Sequence, residues 1–347
     1  MDNPWRDVRE PVVVDGSLGE GGGQVLRTSL TLSLVTGRAM RIHSIRAKRQ
    51  KPGLMRQHLA ALECAAEVGA ARVLGAELGS REIEFAPHTI RGGRRHRDIG
   101  SAGSTTLVAQ TVLPALLFAD ADTELVLEGG THNPLAPPFD CLERSFVPAL
   151  RDMGAEVAVE LQRYGFHPEG GGRACVRVRP SALRPIDVLA RGAVRAIRAR
   201  AIVAGLPEHI GRRELDVVRD KLGVTKDDCT LVMSDGGPGN ALVIDVECES
   251  GTEVFCALGR IGLPAERVAA EAVRDVKAYL RHDAPIDPHL ADQLLLPLAL
   301  AGGGSFRTTR PTTHTTTNAR VIEAFLPLRI DVSDEGAGVW RIAVQPS

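Results

Sequence analysis

The sequence lacks the features of several large protein classes. Its 42 Lys and Arg nearly balance 43 Asp and Glu, with a formal net charge of -1, so binding to a polyanion would need a local basic patch. The longest apolar stretch, residues 107–119, is interrupted by Gln110 and Pro114 and is shorter than the roughly 18 residues of a membrane span. Residues 1–7 are charged and do not resemble a secretory signal, so we expect no membrane association and a cytoplasmic location.

Several chemical motifs are also missing. The six cysteines never form a C-x-x-C pair, which excludes zinc ribbons and thioredoxin-type redox chemistry. Without G-x-x-x-x-G-K-[ST], G-x-G-x-x-G, H-E-x-x-H or G-x-S-x-G, the sequence does not fit P-loop NTPases, Rossmann dehydrogenases, zincins or α/β hydrolases. No K-x-D-G motif of lysine nucleotidyl transferases is present, so histidine is the candidate nucleophile if a covalent nucleotide adduct forms.

Lysine is scarce, since five of the 42 basic residues are Lys and 37 are Arg. The excess of Arg reflects either genomic base composition or the fork geometry with which guanidinium groups bind phosphate.

Hydrophobic patterning predicts the order βαβαββ three times. The first copy is expected at 12–14, 19–34, 40–47, 52–68, 71–78 and 82–90. The second is expected from 95–100 onward, with a helix after the loop 100–104, a strand at 123–128, a helix from Pro138 and a hairpin of 157–164 with 173–179. The third is expected at 289–301, 305–309, 318–325, 328–332 and 339–344, with its first strand upstream near 186–190.

A different pattern separates the parts of the third copy. Residues 193–282 predict a strand, a helix, three strands and a helix, which is typical of a small inserted α/β domain. The glycine-rich stretch 234–239 is expected to be its hairpin turn. We therefore expect a large domain of residues 1–185 and 283–347, interrupted by a small domain of about 186–282.

Polar loops are expected at the helix starts, where unpaired N–H groups and the positive end of the helix dipole favour phosphate. The first loop, residues 19–24, is glycine-rich, and its Glu20 offers an oxygen ligand for magnesium or manganese. A plain strand-to-helix turn explains the same glycines, because residues 169–172 repeat Glu-Gly-Gly-Gly in a predicted hairpin.

A second candidate site is basic. Residues 38–62 contain seven Lys and Arg and no acid. Strand alternation would place Arg46 and Lys48 on one face, and Gln57 and His58 follow in the first turns of the next helix. This cluster suits the phosphates at a polynucleotide end, and a solvated basic face is the alternative.

Two further loops carry polar groups. Residues 100–106 supply small donors at a helix start, either as a phosphate cradle or as plain capping, and Gln110 lies inside the apolar helix that follows, where it needs a partner. Residues 311–318 place five Thr and His314 at another helix start. That histidine is either a nucleophile directed at phosphate or a capping or surface residue.

The ordered set of motifs resembles the RNA 3′-terminal phosphate cyclase family, from about residue 12 to the carboxyl end. The motifs that carry the resemblance are DGSLGEGGGQ (15–24), IRA (45–47), KPGL (51–54), RQH (56–58), GSAGS (100–104), GGT (129–131), NP (133–134), HLADQ (289–293) and H-x-x-x-N (314–318). The resemblance implies an α+β fold of three βαβαββ repeats, like enolpyruvyl-shikimate-phosphate synthase, with an inserted thioredoxin-like domain.

The activity implied by this resemblance is the ATP-dependent conversion of an RNA 3′-phosphate to a 2′,3′-cyclic phosphodiester. In that scheme His314 attacks the α-phosphate of ATP, AMP passes to the RNA 3′-phosphate, and the adjacent 2′-hydroxyl displaces it. One alternative is a non-catalytic, RNA-binding ribosome-assembly member of the family, which lacks the nucleophilic histidine. Enolpyruvyl transfer on the related fold is another.

The resemblance also implies roles for individual residues. Glu20 is expected at a divalent metal, Mg or Mn, and the ATP phosphates. The residues expected at the nucleotide are Gln110, Pro137, His289, Leu290, Ala291, Asp292 and Gln293. Those expected at the RNA 3′-phosphate are Arg27, Arg46, Arg49, Gln57 and His58. His289 stands where some members of the family have Tyr, and its ring offers adenine a weaker stacking surface. A homodimer is one possible assembly.

Overall fold

The computed structural model describes residues 3–6 and 10–347. The charged start, on which the expectation about a secretory signal rests, lies partly outside these residues. None of the helices in the described part of the chain is long and apolar enough to cross a membrane. The protein is a mixed α+β structure built on four-stranded mixed sheets.

The first sheet is formed by the amino-terminal part of the chain. Its elements are β1 (Val12–Asp15), α1 (Gly23–Thr36), β2 (Met40–His43), α2 (Arg56–Gly69), β3 (Arg72–Leu74) and β4 (Ile83–Ala86). The strands lie in the order β1-β2-β4-β3. β1 is parallel to β2, and the other pairs are antiparallel.

The second sheet repeats this order. Its elements are β5 (Gly93–Asp98), α3 (Thr105–Leu116), β6 (Thr123–Gly129), α4 (Phe139–Cys141), a π-helical turn (Leu142–Phe146), α5 (Val147–Asp152), β7 (Glu156–Arg163) and β8 (Gly172–Arg179). The strands lie in the order β5-β6-β8-β7. β5 is parallel to β6, and both remaining pairs are antiparallel.

Two segments far apart in sequence form the carboxyl-terminal sheet. The first strand, β9 (Asp187–Val188), comes about 100 residues before the rest of its sheet. The other elements are α8 (Pro288–Leu300), β14 (Gly304–Thr308), α9 (Thr313–Phe325), β15 (Leu328–Gly336) and β16 (Val339–Pro346). The order β9-β14-β16-β15, with β9 parallel to β14, has the same pairing pattern as the first two sheets.

The intervening chain forms a sheet of different order. Its elements are β10 (Val194–Ala204), α6 (His209–Leu222), β11 (Cys229–Ser234), β12 (Gly239–Cys248), β13 (Gly251–Leu258) and α7 (Ala265–Leu280). The strand order is β11-β10-β12-β13, with only the β10–β11 pair parallel. The expectation of a hairpin turn at 234–239 is wrong, because β10 lies between β11 and β12.

Two apolar cores stabilise these sheets. The larger joins the helices of the three similar sheets and includes the fully buried Leu30, Leu113, Leu295 and Ile322. The smaller packs α6 and α7 against the intervening sheet. Phe166, in the loop after β7, packs on the other face of that sheet, so the intervening sheet is covered on both faces.

Helix α1 lies at the centre of the larger core and contacts α2, α3 and α9. It is buried along most of its length although it contains several Ser and Thr. Most of their hydroxyls have backbone partners: Thr36 donates to the carbonyl of Leu32 at 2.7 Å, and Thr31 to that of Thr111 at 2.6 Å. The buried Ser29 hydroxyl has no partner among the described residues. A buried hydroxyl with a backbone partner adds little cost, so these Thr residues are tolerated inside the core.

The basic stretch differs from its predicted conformation. The strand expected at 40–47 ends at His43, because Ser44 and Arg46 adopt left-handed backbone angles with φ of 55° and 53°. Arg46 therefore lies in a turn, and the expected placement of Arg46 and Lys48 on one strand face is wrong. The Arg46 guanidinium donates to the carbonyls of Lys51 at 2.6 Å and Gly53 at 3.0 Å, which fixes this loop.

Candidate active site

The starts of α1, α2 and α9 and the first turns of α8 meet at one site. Gly19 and Gly21, in the loop before α1, both have φ of 59°, a region in which only glycine is relaxed. A Cβ on Gly19 would lie 1.9 Å from the Thr317 hydroxyl oxygen, and one on Gly23 would lie 2.4 Å from Nε2 of His58. The glycines therefore allow this loop to approach both α9 and α2.

His314 is the second residue of α9, whose start is capped by the Thr312 hydroxyl. Its Nδ1 lies 2.6 Å from Oε1 of Gln24, and its Nε2 lies 3.2 Å from a carboxylate oxygen of Glu20. The other end of the Gln24 amide donates to Asp292, so the amide oxygen must face the imidazole. Nδ1–H therefore donates to Gln24, and in the neutral ring Nε2 carries the free electron pair.

Asp292 links His314, through Gln24, to Arg27. Burial raises the pKa of the Asp292 carboxyl, against the opposing effects of the Gln24 hydrogen bond, His314 and Arg27. Burial also lowers the pKa of Arg27 to about 10, with Asp292 acting in the opposite direction. The guanidinium therefore stays charged at neutral pH and lies near the Gln24–His314 pair.

Asn318 ties the helices of the site together. Its amide group donates to the Asp292 carbonyl at 3.1 Å, and its side-chain oxygen accepts from the Thr28 hydroxyl at 2.7 Å. One buried side chain thus joins α1, α8 and α9.

Basic groups border the same loop. Arg49 donates to Glu20 at 3.1 Å, and the Lys48 ammonium donates to the Gly19 carbonyl at 2.9 Å. Burial together with Arg27 and Arg46 lowers the pKa of His58 to about 3, so its ring is neutral. Since Nδ1 of His58 accepts from the Met55 amide at 3.1 Å, its Nε2 carries the hydrogen and is a donor.

The residues expected at the nucleotide fall into two groups. Gln110 donates to Gln293, which in turn donates to the His289 carbonyl at 3.0 Å, and these side chains line one edge of α8. Leu290 and Ala291 are instead core residues, 6% and 0% exposed. Their side chains pack in the core and fix the position of the helix that carries His289, Asp292 and Gln293.

The remaining residues expected at the site, Gln57 and Pro137, contact the start of α3. Gln57 accepts from the Ser104 amide at 3.2 Å, and the Thr106 hydroxyl donates to the Pro137 carbonyl at 2.7 Å. The loop 100–104 is thus held between α2 and the segment that contains Pro137. Ser104 also caps α3 by accepting from Leu107, so the capping role predicted for this loop is real.

The position of Glu20 fits a divalent cation. Its carboxylate is 42% exposed, and no cluster of three or more His, Cys, Asp or Glu suited to a metal occurs among the described residues. Magnesium bound with phosphates needs only one or two protein carboxylates.

Gln24 belongs to the site, although the sequence predicts no role for it. Gln24 is part of the DGSLGEGGGQ motif, but its partners, His314 and Asp292, are 290 and 268 positions away in the sequence. The sequence feature that indicates a role for Gln24 is its place in the first turn of α1, four residues after Glu20.

Comparison with known proteins gives the family. A sequence model described as RNA 3′-terminal phosphate cyclase matches residues 18–332. Proteins of that name from Pseudomonas fluorescens and Koribacter versatilis are 50% and 48% identical to this chain, over 93% of it in both cases and over 94% and 92% of their own lengths. One from Ralstonia nicotianae is 48% identical over 96% of this chain and 97% of its own.

A solved structure, the enolpyruvyl transferase NikO from Streptomyces tendae, aligns with 97% of this chain and 49% of its own, at 10% identity and a TM-score of 0.37. The family match covers nearly the whole chain and includes the glycine loop, the basic stretch and the His314 helix. The chain belongs to the RNA 3′-terminal phosphate cyclase family.

Proposed function

We propose that the protein converts an RNA 3′-phosphate to a 2′,3′-cyclic phosphodiester with ATP, through a covalent adenylate on His314. The observation that carries the proposal is the 2.6 Å hydrogen bond from Nδ1 of His314 to Gln24. It leaves Nε2 as the attacking atom at the meeting point of several helix starts, where negative phosphate is favoured.

The first step forms the adenylate. Nε2 of His314 donates its electron pair to the α-phosphorus of ATP, and the bond from that phosphorus to the pyrophosphate oxygen breaks. The ring becomes positively charged as the P–N bond forms, which strengthens the Nδ1–H bond to Gln24. Asp292 contributes by holding the Gln24 amide in the accepting orientation.

The second and third steps use the RNA. An oxygen of the 3′-phosphate attacks the adenylate phosphorus and the P–N bond breaks, which restores neutral His314 and gives an RNA–adenylate anhydride. The 2′-hydroxyl oxygen then attacks the 3′-phosphorus, AMP leaves with the electron pair of the anhydride bond, and solvent takes the hydroxyl proton. Because this attack is intramolecular, positioning supplies much of the rate.

Basic groups are placed to hold the RNA 3′-phosphate. Arg27 and Arg49 offer charged donors beside the His314 site, and His58 offers a neutral Nε2–H. Arg46 holds the loop, and its charge contributes, after burial and Arg27, to the lowered pKa of His58. These contacts support the assignment of this side of the site to RNA and of the α8 edge, with Gln110, Asp292 and Gln293, to ATP.

Glu20 is the residue proposed to hold a divalent metal, Mg or Mn. When bound, the ion would neutralise charge on the ATP phosphates. Glu20 itself keeps Arg49 beside the loop through its 3.1 Å ion pair. We also propose that the three sheets of like order are βαβαββ repeats, which their shared strand order supports, and that a small thioredoxin-like domain is inserted between large-domain parts. The expected start of this insertion at 186 is too early, because β9 (Asp187–Val188) pairs with β14 of the carboxyl-terminal sheet, so the insertion follows β9 and extends to about 282.

Incubation with ATP labelled at the α-phosphate tests the proposal. We expect an acid-labile, alkali-stable protein adduct that is lost in His314→Ala and kept in His209→Ala, a control histidine exposed on α6. The isolated adduct should pass its label to RNA with a 3′-phosphate. A folded protein that forms neither an adduct nor cyclic RNA ends would instead favour the non-catalytic, RNA-binding alternative.

A further inference from the structure

Residues 283–287 connect α7 of the inserted sheet to α8, and the insertion holds this connection from one side. The Tyr279 hydroxyl, at the end of α7, donates to the Pro285 carbonyl at 2.9 Å. A carboxylate oxygen of Glu253, on β13, accepts from the Asp287 amide at 3.1 Å. On the other side, the Ile286 amide donates to the Arg307 carbonyl of β14 at 3.2 Å.

Asp287 is the residue that starts α8. Its side chain accepts from the amides of His289 at 2.8 Å and Leu290 at 3.2 Å, so it caps the helix. The backbone of the cap is thus fixed by Glu253 while its side chain fixes the first turn. A displacement of Asp287 would move His289 directly and Asp292 one turn later.

Glu253 is an unusual residue for a buried strand. It is 4% exposed, and burial together with the neighbouring Asp287 raises the pKa of its carboxyl well above the usual range. A buried carboxyl without a cationic partner destabilises a fold. The one hydrogen bond of the Glu253 side chain in the described structure crosses from the insertion to the start of α8. The buried carboxyl therefore contributes to the position of that helix.

We propose that Glu253 and Tyr279 are positioning residues through which the inserted domain fixes the start of α8 and thereby sets the affinity for ATP. The ATP part of this inference rests on the function proposed above, whereas the fixation of α8 does not. The insertion acts on the nucleotide site without touching the nucleotide.

Matched variants separate positioning from general stability. Glu253→Met removes the acceptor at similar volume, Glu253→Gln keeps an acceptor oxygen, and Tyr279→Phe removes only the hydroxyl. Glu214→Met is the control, because Glu214 is also a buried glutamate of the insertion but bonds to Asn240 within it, at 3.0 Å.

Two measurements are made on each full-length variant. Amide hydrogen exchange over residues 284–294 should become about tenfold faster in Glu253→Met, as expected for a lost buried hydrogen bond. The KM for ATP in adduct formation should rise by about the same factor, with the KM for RNA unchanged. Tyr279→Phe should show smaller changes in the same direction, and Glu253→Gln should restore both quantities to within about twofold of wild type.

The outcomes distinguish this inference from the proposed function. Unchanged exchange over 284–294 in Glu253→Met, or equal acceleration in Glu214→Met, would overturn the fixation of α8. Faster exchange with an unchanged KM for ATP would overturn the effect on affinity. If wild type forms no adduct, the proposed function fails, and exchange still decides whether the insertion fixes α8.

Discussion

Replacing Gln24 with Met tests how His314 is prepared for attack. The change removes the acceptor that lies 2.6 Å from Nδ1 of His314 and the donor to Asp292. Met is unbranched and a good helix former, so it fits the first turn of α1 without a large change in volume. Gln24 is placed to bind the imidazole, so we expect the rate of adduct formation at saturating ATP to fall. Because Gln24 also donates to Asp292, which we assign to ATP, the KM for ATP should rise as well.

The magnitude follows from the charge that develops on the ring. A hydrogen bond to a charged group contributes about 1.5–3 kcal/mol, and the imidazole becomes charged as Nε2 bonds to phosphorus. A loss of that size slows the step by about 10- to 150-fold. The neutral ring also loses its preference for the Nδ1–H tautomer, which contributes to the same loss.

Single-turnover labelling from α-labelled ATP measures this rate at saturating ATP. Gln345→Met is the matched control, because Gln345 is an exposed glutamine on β16, and its rate should equal that of wild type. Adduct formation by Gln24→Met within about threefold of wild type, in a folded protein, would refute the role of Gln24.

Three further predictions concern charge. Arg46→Ala removes the guanidinium that holds the 46–53 turn. It should slow AMP transfer from isolated adduct to RNA by about tenfold or more, while slowing adduct formation less than threefold. Equal losses in both steps would contradict the assignment of Arg46 to the RNA side of the site. Because the pKa of His58 is about 3 when folded and about 6.5 when unfolded, only the unfolded chain binds the proton between these values. The contribution of His58 to stability should therefore fall by about 2 kcal/mol between pH 6.5 and 5, measured as the difference in free energy of unfolding between wild type and His58→Gln in urea at each pH. Burial raises the pKa of Glu214 to about 7, so the contribution of Glu214 to stability should fall as pH rises from about 4.5 to 7. The stability of Glu214→Gln relative to wild type should therefore rise by up to about 3 kcal/mol from pH 4.5 to pH 8 in the same assay, and no such rise would contradict the burial argument.

The sequence predicts most elements because their apolar spacing is regular. The helices α1, α3 and α8 lie close to their expected positions, since each buries one face or more in the larger core. Helix α9 begins at Thr313, five residues before its expected start at 318, because the Thr312 hydroxyl caps a polar first turn that has no apolar spacing. The shared order of the elements was also visible, because strand and helix patterns recur. Pairing was less predictable: β11 and β12 are consecutive but lie on opposite sides of β10, an arrangement that no turn composition reveals.

Backbone conformation was the second limit. The basic stretch looked like a continued strand, yet Ser44 and Arg46 are left-handed. Non-glycine residues in that region cost about 1 kcal/mol or more, and the guanidinium bonds of Arg46 to Lys51 and Gly53 offset the cost. Such compensation depends on contacts within the folded loop, so propensity predicts the strand instead.

The candidate site was predictable by residue type but not by contact. Glycine loops, the acid-free basic stretch and His314 at a helix start each indicate phosphate chemistry. The pair His314 and Gln24 is 290 positions apart and forms only because α1 and α9 pack together. Leu290 and Ala291 show the converse, since they belong to a recognised motif but their side chains are in the core.

Locating the adenylate within the protein tests the central claim most directly. Active protein is trapped after reaction with ATP, digested under basic conditions, and analysed by mass spectrometry and phosphorus NMR. We predict one AMP on the peptide that contains His314, bonded through Nε2. An adenylate on any other side chain, a bond through Nδ1, or cyclic RNA ends formed from ATP without a protein adduct would contradict the account.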